Sequence, residues 1–355
     1  MTQVIENESK TSSPAKTRSR QALAGALEFA IRLAALGVVF GAFALLVPGG
    51  KFVTASNIEN LLMQSAVYAM CGLGMTMIII TGGIDLSAGS AIALSMVVTS
   101  MILNGGVDGT GAQLQAHPFL VTVLAVLGGI AIGALVGLVQ GSLITGLRLV
   151  PFIVTLGGFT TVRGLAKKIA ADQEINPPPN WLFEHLMNPV QGRTFNWELF
   201  APGVWLTIAM AIFAAAMLRY TKFGRRVYAI GSNESTARLC GVPIHRTKIL
   251  VYTIAGLFTG LAGVMEFSKL NIGQPTGAMS YELYVIAACV IGGTSLSGGV
   301  GKISGTMIGA LIIGTLYAGA QQAGWAKEDQ EIVIGIIIVA AVALDQLRDR
   351  SRRKS

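Results

Sequence analysis

Charge is scarce in this sequence. Only 12% of its residues are Asp, Glu, Lys or Arg, against about 25% in a soluble domain. That leaves too little polar surface to cover a water-soluble globule of 355 residues. Cysteine is also scarce. Cys71, Cys240 and Cys289 show no paired spacing, which excludes a disulfide framework and a zinc cluster. His117, His185 and His245 are equally scattered and read as loop or interfacial residues. No Gly-x-x-x-x-Gly-Lys-Ser/Thr loop occurs, so no phosphate cradle for ATP lies on this chain. Ser/His/Asp arrangements, zinc helices and paired carboxylates are missing too. The expectation is a component without catalysis, metal or cofactor of its own.

What is abundant is apolar. Hydrophobic residues make up 52% and mean hydropathy is +0.63. The 44 glycines fit close helix packing in lipid. The net charge of +8 does not point to nucleic acid, because the basic residues cluster between apolar segments and at both ends. The composition predicts an all-α, polytopic membrane helical bundle.

A span needs about 20 mainly apolar residues. Segments 28–48, 58–80, 87–104, 118–147, 150–168, 203–220, 248–269, 281–296, 302–320 and 330–347 are candidates, about ten in all. The polar stretch 1–27 reads as a disordered tail, 28–347 as the transmembrane domain and 348–355 as a basic tail. The first apolar run, Ile31–Val47, reads as an uncleaved span. An even number of spans places both termini on one side. With the termini in the cytosol, nineteen of the 26 lysines and arginines fall inside, as the positive-inside rule requires. Arg163, Lys167 and Lys168 fall at the outer end of segment 150–168, which is therefore short, tilted or re-entrant.

The most informative feature is a paired interruption. Gly82-Gly83-x-x-Leu86-Ser87-x-Gly89 recurs as Gly292-Gly293-x-x-Leu296-Ser297-x-Gly299, 210 positions later. Both copies sit between apolar segments. Exposed backbone at membrane depth is tolerated only where protein buries it or where it lines an aqueous path. Matching breaks therefore point to a translocation route. Gly82, Gly83, Asp85, Ser87, Gly292, Gly293, Ser295 and Ser297 are its candidate residues. The orientation count places both copies toward the cytosolic ends of their spans.

Asp85 has two readings. A charge inside a membrane marks a pathway or a partner, yet aspartate is also a favoured helix N-cap. In the second copy Ser295 keeps the capping ability and loses the charge. Glu282 has the same ambiguity at the start of its segment. Glu266 and Lys269 have the spacing of a local helix ion pair. Two glycine ridges, Gly129-Gly133-Gly137-Gly141 and Gly301-Gly305-Gly309, predict close helix packing. The external loop 170–202 holds Pro177-Pro178-Pro179, Trp181 and Trp197, and reads as an interfacial plug or a docking surface.

Residues 219–248 form the largest internal loop and contain a helix-sized insert. Ser232 or Asn233 caps its start, Glu234 suits its first turn, and Gly241 followed by Pro243 stops it. The loop is either a basic topological anchor or a docking element.

In Thr81–Ser90, Val150–Gly158, Gly224–Gly241 and the run from Gln274 to Gly299, the chain resembles the membrane permease of bacterial ABC importers for monosaccharides, of the ribose, xylose and galactose type. The resemblance covers roughly residues 55–345. It implies cytosolic ABC ATPase subunits, a periplasmic sugar-binding protein, and a second permease as homodimer or related pair in the inner membrane. It also implies that Asn233, Glu234, Ala237, Arg238 and Gly241 carry the contact of a coupling helix with the ATPase. Ser235 and Thr236 stand where alanine-like or acidic residues are usual. The competing class is a stand-alone secondary transporter or channel for a small polar solute. Against it, the spans lack clustered acidic residues for ion coupling.

Overall fold

The computed structural model describes residues 14–106, 117–187, 200–326, 328–337, 339–340 and 343. Among these the chain is helical, with one isolated β-bridge between Ile175 and Gly273. The helices are α1 (Pro14–Leu46), α2 (Ala55–Ile80), α3 (Ala88–Asn104), α4 (Pro118–Gly146), α5 (Pro151–Ile169), α6 (Trp181–Leu186), α7 (Pro202–Tyr220), α8 (Lys222–Ser232), α9 (Glu234–Leu239), α10 (Ile244–Leu270), α11 (Tyr281–Ile291) and α12 (Ile303–Gln322). Proline opens α4, α5 and α7 at positions where its missing N–H costs nothing.

Among the described residues, six helices are long and apolar enough to cross a bilayer: the Phe29–Leu46 part of α1, and α2, α4, α7, α10 and α12. Helices α3 and α11 are shorter apolar pieces. Nine of the ten anticipated segments correspond to α1–α5, α7 and α10–α12. The tenth is helical over 328–337, and much of its remainder lies outside the described residues. Two details differ from expectation. Helix α1 begins at Pro14, inside the stretch anticipated as a disordered tail. Segment 281–296 stops being helical at Ile291, because Gly292-Gly293 turns the chain away. Segment 150–168 is a single unbroken helix, with Lys167 and Lys168 in its last turn. The tail 348–355 and Trp197 lie outside the described residues.

Helix α2 is the centre of the bundle, and every residue from Met63 to Ile80 is buried. The first glycine ridge sets the closest contact. Side chains at Gly133 or Gly137 would collide with the backbone of α10 at Gly256 and Tyr252. The second ridge lets α12 approach α11 in the same way, with Gly305 against Gly292 and Gly309 against Ala288. Lipid tails supply no hydrophobic drive between helices, so such close approach is how a membrane bundle gains packing energy.

Loop 170–187 is docked into the bundle. Phe183 is buried edge-on against Phe267, with centroids 5.0 Å apart. The Ser268 hydroxyl donates to the Phe183 carbonyl at 2.6 Å, and the Asn180 amide donates to Thr122 Oγ1 at 2.8 Å. Pro177–Pro179 line a cavity of about 180 Å³ against Leu103 and Phe267.

Candidate functional site

Break 1 joins α2 to α3, and break 2 joins α11 to α12. Both open with the same helix-ending device. At break 1 the Gly83 N–H donates to the Ile78 carbonyl and the Gly82 N–H to Ile79, while Gly82 takes φ +78°. At break 2 the Thr294 N–H donates to Cys289 and the Gly293 N–H to Val290, while Gly293 takes φ +82°. These are Schellman caps, in which a left-handed glycine closes the last turn. The left-handed residue is the first glycine of one pair and the second of the other. The structural repeat is therefore offset by one residue from the sequence repeat.

The next step is also shared. The Ser87 N–H donates to Asp85 Oδ1 at 2.8 Å, and the Ser297 N–H to Ser295 Oγ at 3.4 Å. Such side-chain turns fix a loop in place of regular backbone pairing. Asp85 is thus not the N-cap residue itself. Ser87 occupies that position and α3 begins at Ala88, while Asp85 holds Ser87 through both its N–H and its hydroxyl, the latter at 2.7 Å.

The breaks then diverge. Break 1 runs into the bundle. Gln140 Nε2 of α4 donates to Ser87 Oγ at 2.5 Å, Thr155 of α5 donates to the Ile84 carbonyl at 3.1 Å, and Ser90 donates to the Phe159 carbonyl at 2.8 Å. A Cβ on Gly83 would lie 2.5 Å from the Tyr252 hydroxyl, and one on Gly89 would collide with the Glu282 carboxylate. Glu282 sits in the first turn of α11, as anticipated, beside Tyr281. Tyr281 packs edge-on against Tyr68, with centroids 5.0 Å apart. Tyr68 lies three helical turns before the end of α2. The start of α3 therefore lies inside the bundle, short of the end where α2 stops.

Break 2 stays at that end. The Gly299 N–H donates to the Ile80 carbonyl at 2.8 Å, joining break 2 to the last residue of α2. Gly231, near the end of α8, packs on this hydrogen bond. A Cβ there would overlap the Ile80 carbonyl and lie 2.5 Å from the Gly299 nitrogen. The Tyr228 hydroxyl, one turn earlier on α8, donates to the Gly301 carbonyl at 2.8 Å. From the other side, Arg32 of α1 lays its guanidinium over Gly293 and Gly305, at the C-terminal end of α11. A cation there complements the helix dipole.

Helix α9 follows α8 after the single residue Asn233. Asn233 Oδ1 accepts from the Thr236 N–H and the Ser235 hydroxyl, both at 2.9 Å. Gly241, at φ +77°, ends the element, and the Val242 N–H returns to the Ala237 carbonyl at 3.0 Å. Ala237 is buried against Ile230 and Ile244, so its side chain seats the helix. Glu234 pairs with Lys248 at 2.7 Å and with Arg238 at 3.2 Å. Its carboxyl is held below the usual range, mainly by the Lys248 hydrogen bond. The tip is Leu239, 89% exposed.

The anticipated residues therefore fall into three clusters joined in series: break 1 touches break 2, where Gly298 lies beside Gly82, and break 2 touches α8, which carries α9. Sequence reasoning missed helix α8, Tyr228, Gly231 and Leu239, and counted Arg32 only as a topology signal. The spacing of Phe223, Val227 and Ile230 behind the cap Thr221 was the available cue. Glu266 and Lys269 do pair, at 3.1 Å, within a larger network. Tyr281 donates to Glu266 at 2.9 Å, and the Gln64 side chain contacts both Tyr281 and Lys269. Among the described residues, no group of His, Cys, Asp and Glu is arranged to hold a metal ion.

Comparison with known proteins places the chain. Residues 57–342 match the family described as branched-chain amino acid transport system / permease component. The ribose import permease protein RbsC of Bacillus subtilis is 39% identical over 316 residues, 88% of this chain and 92% of that protein. The L-arabinose transport system permease protein AraH of Escherichia coli is 35% identical, covering 90% of this chain and 91% of its own. The D-allose transport system permease protein AlsC of Escherichia coli is 34% identical, covering 88% and 90%. No solved structure matches. The chain belongs to this permease family and is a multi-pass inner-membrane protein.

Proposed function

We propose that this family member is the translocating subunit of an ATP-binding-cassette importer, passing a monosaccharide delivered by a periplasmic binding protein. The observation that carries this reading is the junction at Gly231, where the element bearing α9 packs on the hydrogen bond between α2 and break 2. A loop acting only as a topological anchor needs no such contact. The names of the relatives, permeases for ribose, L-arabinose and D-allose, support a sugar as solute.

In this reading both termini and α9 face the cytosol, and the docked loop 170–187 faces the periplasm. Helix α9 presents Arg238, Leu239 and the Asn233–Glu234 turn to a groove on the ATPase, while Ala237 and Gly241 hold its shape. Two ATPase subunits act on two permeases, a homodimer being the simplest assembly. Closure of the ATPases displaces α9. Helix α8 is a short rigid lever, and it delivers the displacement to the end of α2 and to break 2. A neutral sugar needs no counter-ion, only transient hydroxyl and backbone partners along the path.

The test is co-reconstitution in liposomes with the cognate ATPase and binding protein. ATP-dependent sugar uptake is expected only with all components present. Glu234→Arg places a cation beside Arg238 and Lys248, and should preserve insertion and ATP hydrolysis while abolishing uptake. Wild-type uptake by that variant removes α9 from the coupling route. Uptake driven by an ion gradient with the chain alone would establish a secondary transporter instead.

A further inference from the structure

Among the described residues, seven buried side-chain oxygen or nitrogen atoms have no hydrogen-bond partner in the protein. Three of them adjoin break 1, Gln140 Oε1, Tyr252 Oη and Glu282 Oε2, and a fourth, Arg163 Nη2, lies on the turn beside it. Gln140, Tyr252 and Glu282 are 4%, 1% and 7% exposed. Each such atom costs about 1–3 kcal/mol when it stays unpaired. Chance packing faults would be spread over the bundle. These belong to four different helices; three meet residues 83–89 directly, and Arg163 holds the neighbouring 275–277 turn, next to Ala278, whose carbonyl packs on Gly89.

The placement of each is fixed by its neighbours. Gln140 spends its amide hydrogens on Ser87, which leaves its carbonyl oxygen over. Tyr252 brings its hydroxyl to the Gly83 backbone, where a Cβ would leave no room for it. Glu282 lies against Gly89, which likewise has no side chain to cover the carboxylate. Arg163 uses Nη1 on the carbonyls of Pro275 and Gly277, at 3.1 and 2.5 Å, and keeps Nη2. Break 2 differs, since its one atom of this kind is Thr294 Oγ1.

The chemistry of the set selects a ligand class. It contains a donor (guanidinium), two acceptors (amide oxygen and carboxylate) and one group that does both (phenol). A simple anion would satisfy only the guanidinium and the phenol, a simple cation would leave the guanidinium unpaired, and an apolar solute would satisfy none. A neutral polyhydroxylated molecule, whose every hydroxyl both donates and accepts, satisfies all four. We propose that break 1 is a solute-contact site for a polyol or sugar, lined by Gln140, Arg163, Tyr252 and Glu282 beside Asp85 and Ser87. This inference rests on the transport reading above for the identity of the solute.

The experiment uses the full chain with its ATPase and binding protein in proteoliposomes. In a Cys240→Ser background, single cysteines are introduced as Gln140→Cys and Glu282→Cys, with Ser142→Cys on the exposed face of α4 as control. A small hydrophilic methanethiosulfonate is applied during ATP turnover, with and without D-ribose, L-arabinose or D-allose. The sugar that the complex transports should slow modification at positions 140 and 282 severalfold and leave 142 unchanged. Independently, the near-isosteric Tyr252→Phe and Glu282→Gln should lower sugar moved per ATP hydrolysed severalfold, with binding-protein-stimulated hydrolysis retained. Two results overturn the proposal: no modification or no protection at 140 and 282 during transport, or an unchanged sugar-to-ATP ratio in both conservative variants. A wild-type complex that moves no sugar at all overturns the functional reading first, and the solute assignment with it.

Discussion

Asp85 and Ser295 hold matching places in the two breaks, and each receives the N–H of the serine two positions on. Beyond that bond the likeness ends. Break 1 turns inward, starts α3 deep in the bundle, and supplies its own carboxylate. Break 2 stays level with the end of α2, and its charged neighbour is Arg32, supplied by α1. Gly89 and Gly299, equivalent by letter, have opposite uses. Gly89 is a helical residue that makes room for Glu282, whereas Gly299 is a left-handed loop residue, φ +73°, whose N–H ties two helices together. A repeated motif here specifies how a helix stops and leaves open where the chain goes next. That destination is set by which helix waits alongside.

Three substitutional contrasts bear on this difference. The largest effect should follow Gly231→Val. Its side chain has backbone on two sides, so overpacking of about 1–3 kcal/mol adds to loss of the Gly299–Ile80 hydrogen bond, about 0.5–1.5 kcal/mol. ATP-driven uptake should be lost and the melting temperature should fall by several degrees. Gly82→Ala, in break 1, meets no atom within 4 Å and suffers only its left-handed φ of +78°, about 1–2 kcal/mol. Equal losses from the two variants would break the distinction between a tightly packed junction and a simple turn.

Next come Asp85→Asn and Ser295→Ala. Asparagine keeps an acceptor for the Ser87 N–H, so melting should change little while uptake drops, because the charge is what break 1 adds. Ser295→Ala removes the weak bond from the Ser297 N–H, worth about 1 kcal/mol or less, and should leave the sugar-to-ATP ratio intact. Unimpaired uptake in Asp85→Asn would reduce Asp85 to a structural turn, like its counterpart.

The smallest effect concerns acid. Glu234 has its carboxyl held low by Lys248 and Arg238. Its stabilising contribution is therefore complete above the unfolded value, about 4.3, and is lost as pH falls through the lower folded value. For an exposed pair this amounts to about 0.2–1 kcal/mol. The protection factor of the Gly299 amide should fall over that acid range while that of the Ser87 amide does not, and Lys248→Met should remove the difference. Parallel responses at both amides would mean that α9 is coupled to the two breaks alike.

How much of this was legible beforehand follows from what each residue depends on. The spans were readable because membrane solvation constrains composition over about 20 residues at a time. Asn233, Glu234 and Gly241 were readable because capping is local. The one-residue offset between the breaks was not, since both glycines of each pair can adopt a left-handed φ and only the helix end decides which does. Tyr228, Gly231 and Arg32 were hidden for a different reason. Their partners, Gly301, Ile80 and Gly293, are distant in sequence, and no local pattern reports a contact of that range. Glu282 was readable as a first-turn acid, but its position against Gly89 depends on how residues 271–280 pass beside α3.

The hydrogen bond from Gly299 to Ile80 also sets an order of events during synthesis. The carbonyl at the end of α2 emerges about 220 residues before the amide that satisfies it. At roughly 5–20 residues per second that is an interval of about ten to forty seconds. Through that interval the most buried helix of the bundle has an unfinished end at the membrane surface. Water, lipid headgroups or an insertion factor must occupy its place until break 2, which follows α11, arrives. Chains truncated before residue 299 should therefore be inserted yet unable to mature, and would be the forms that a membrane protease clears.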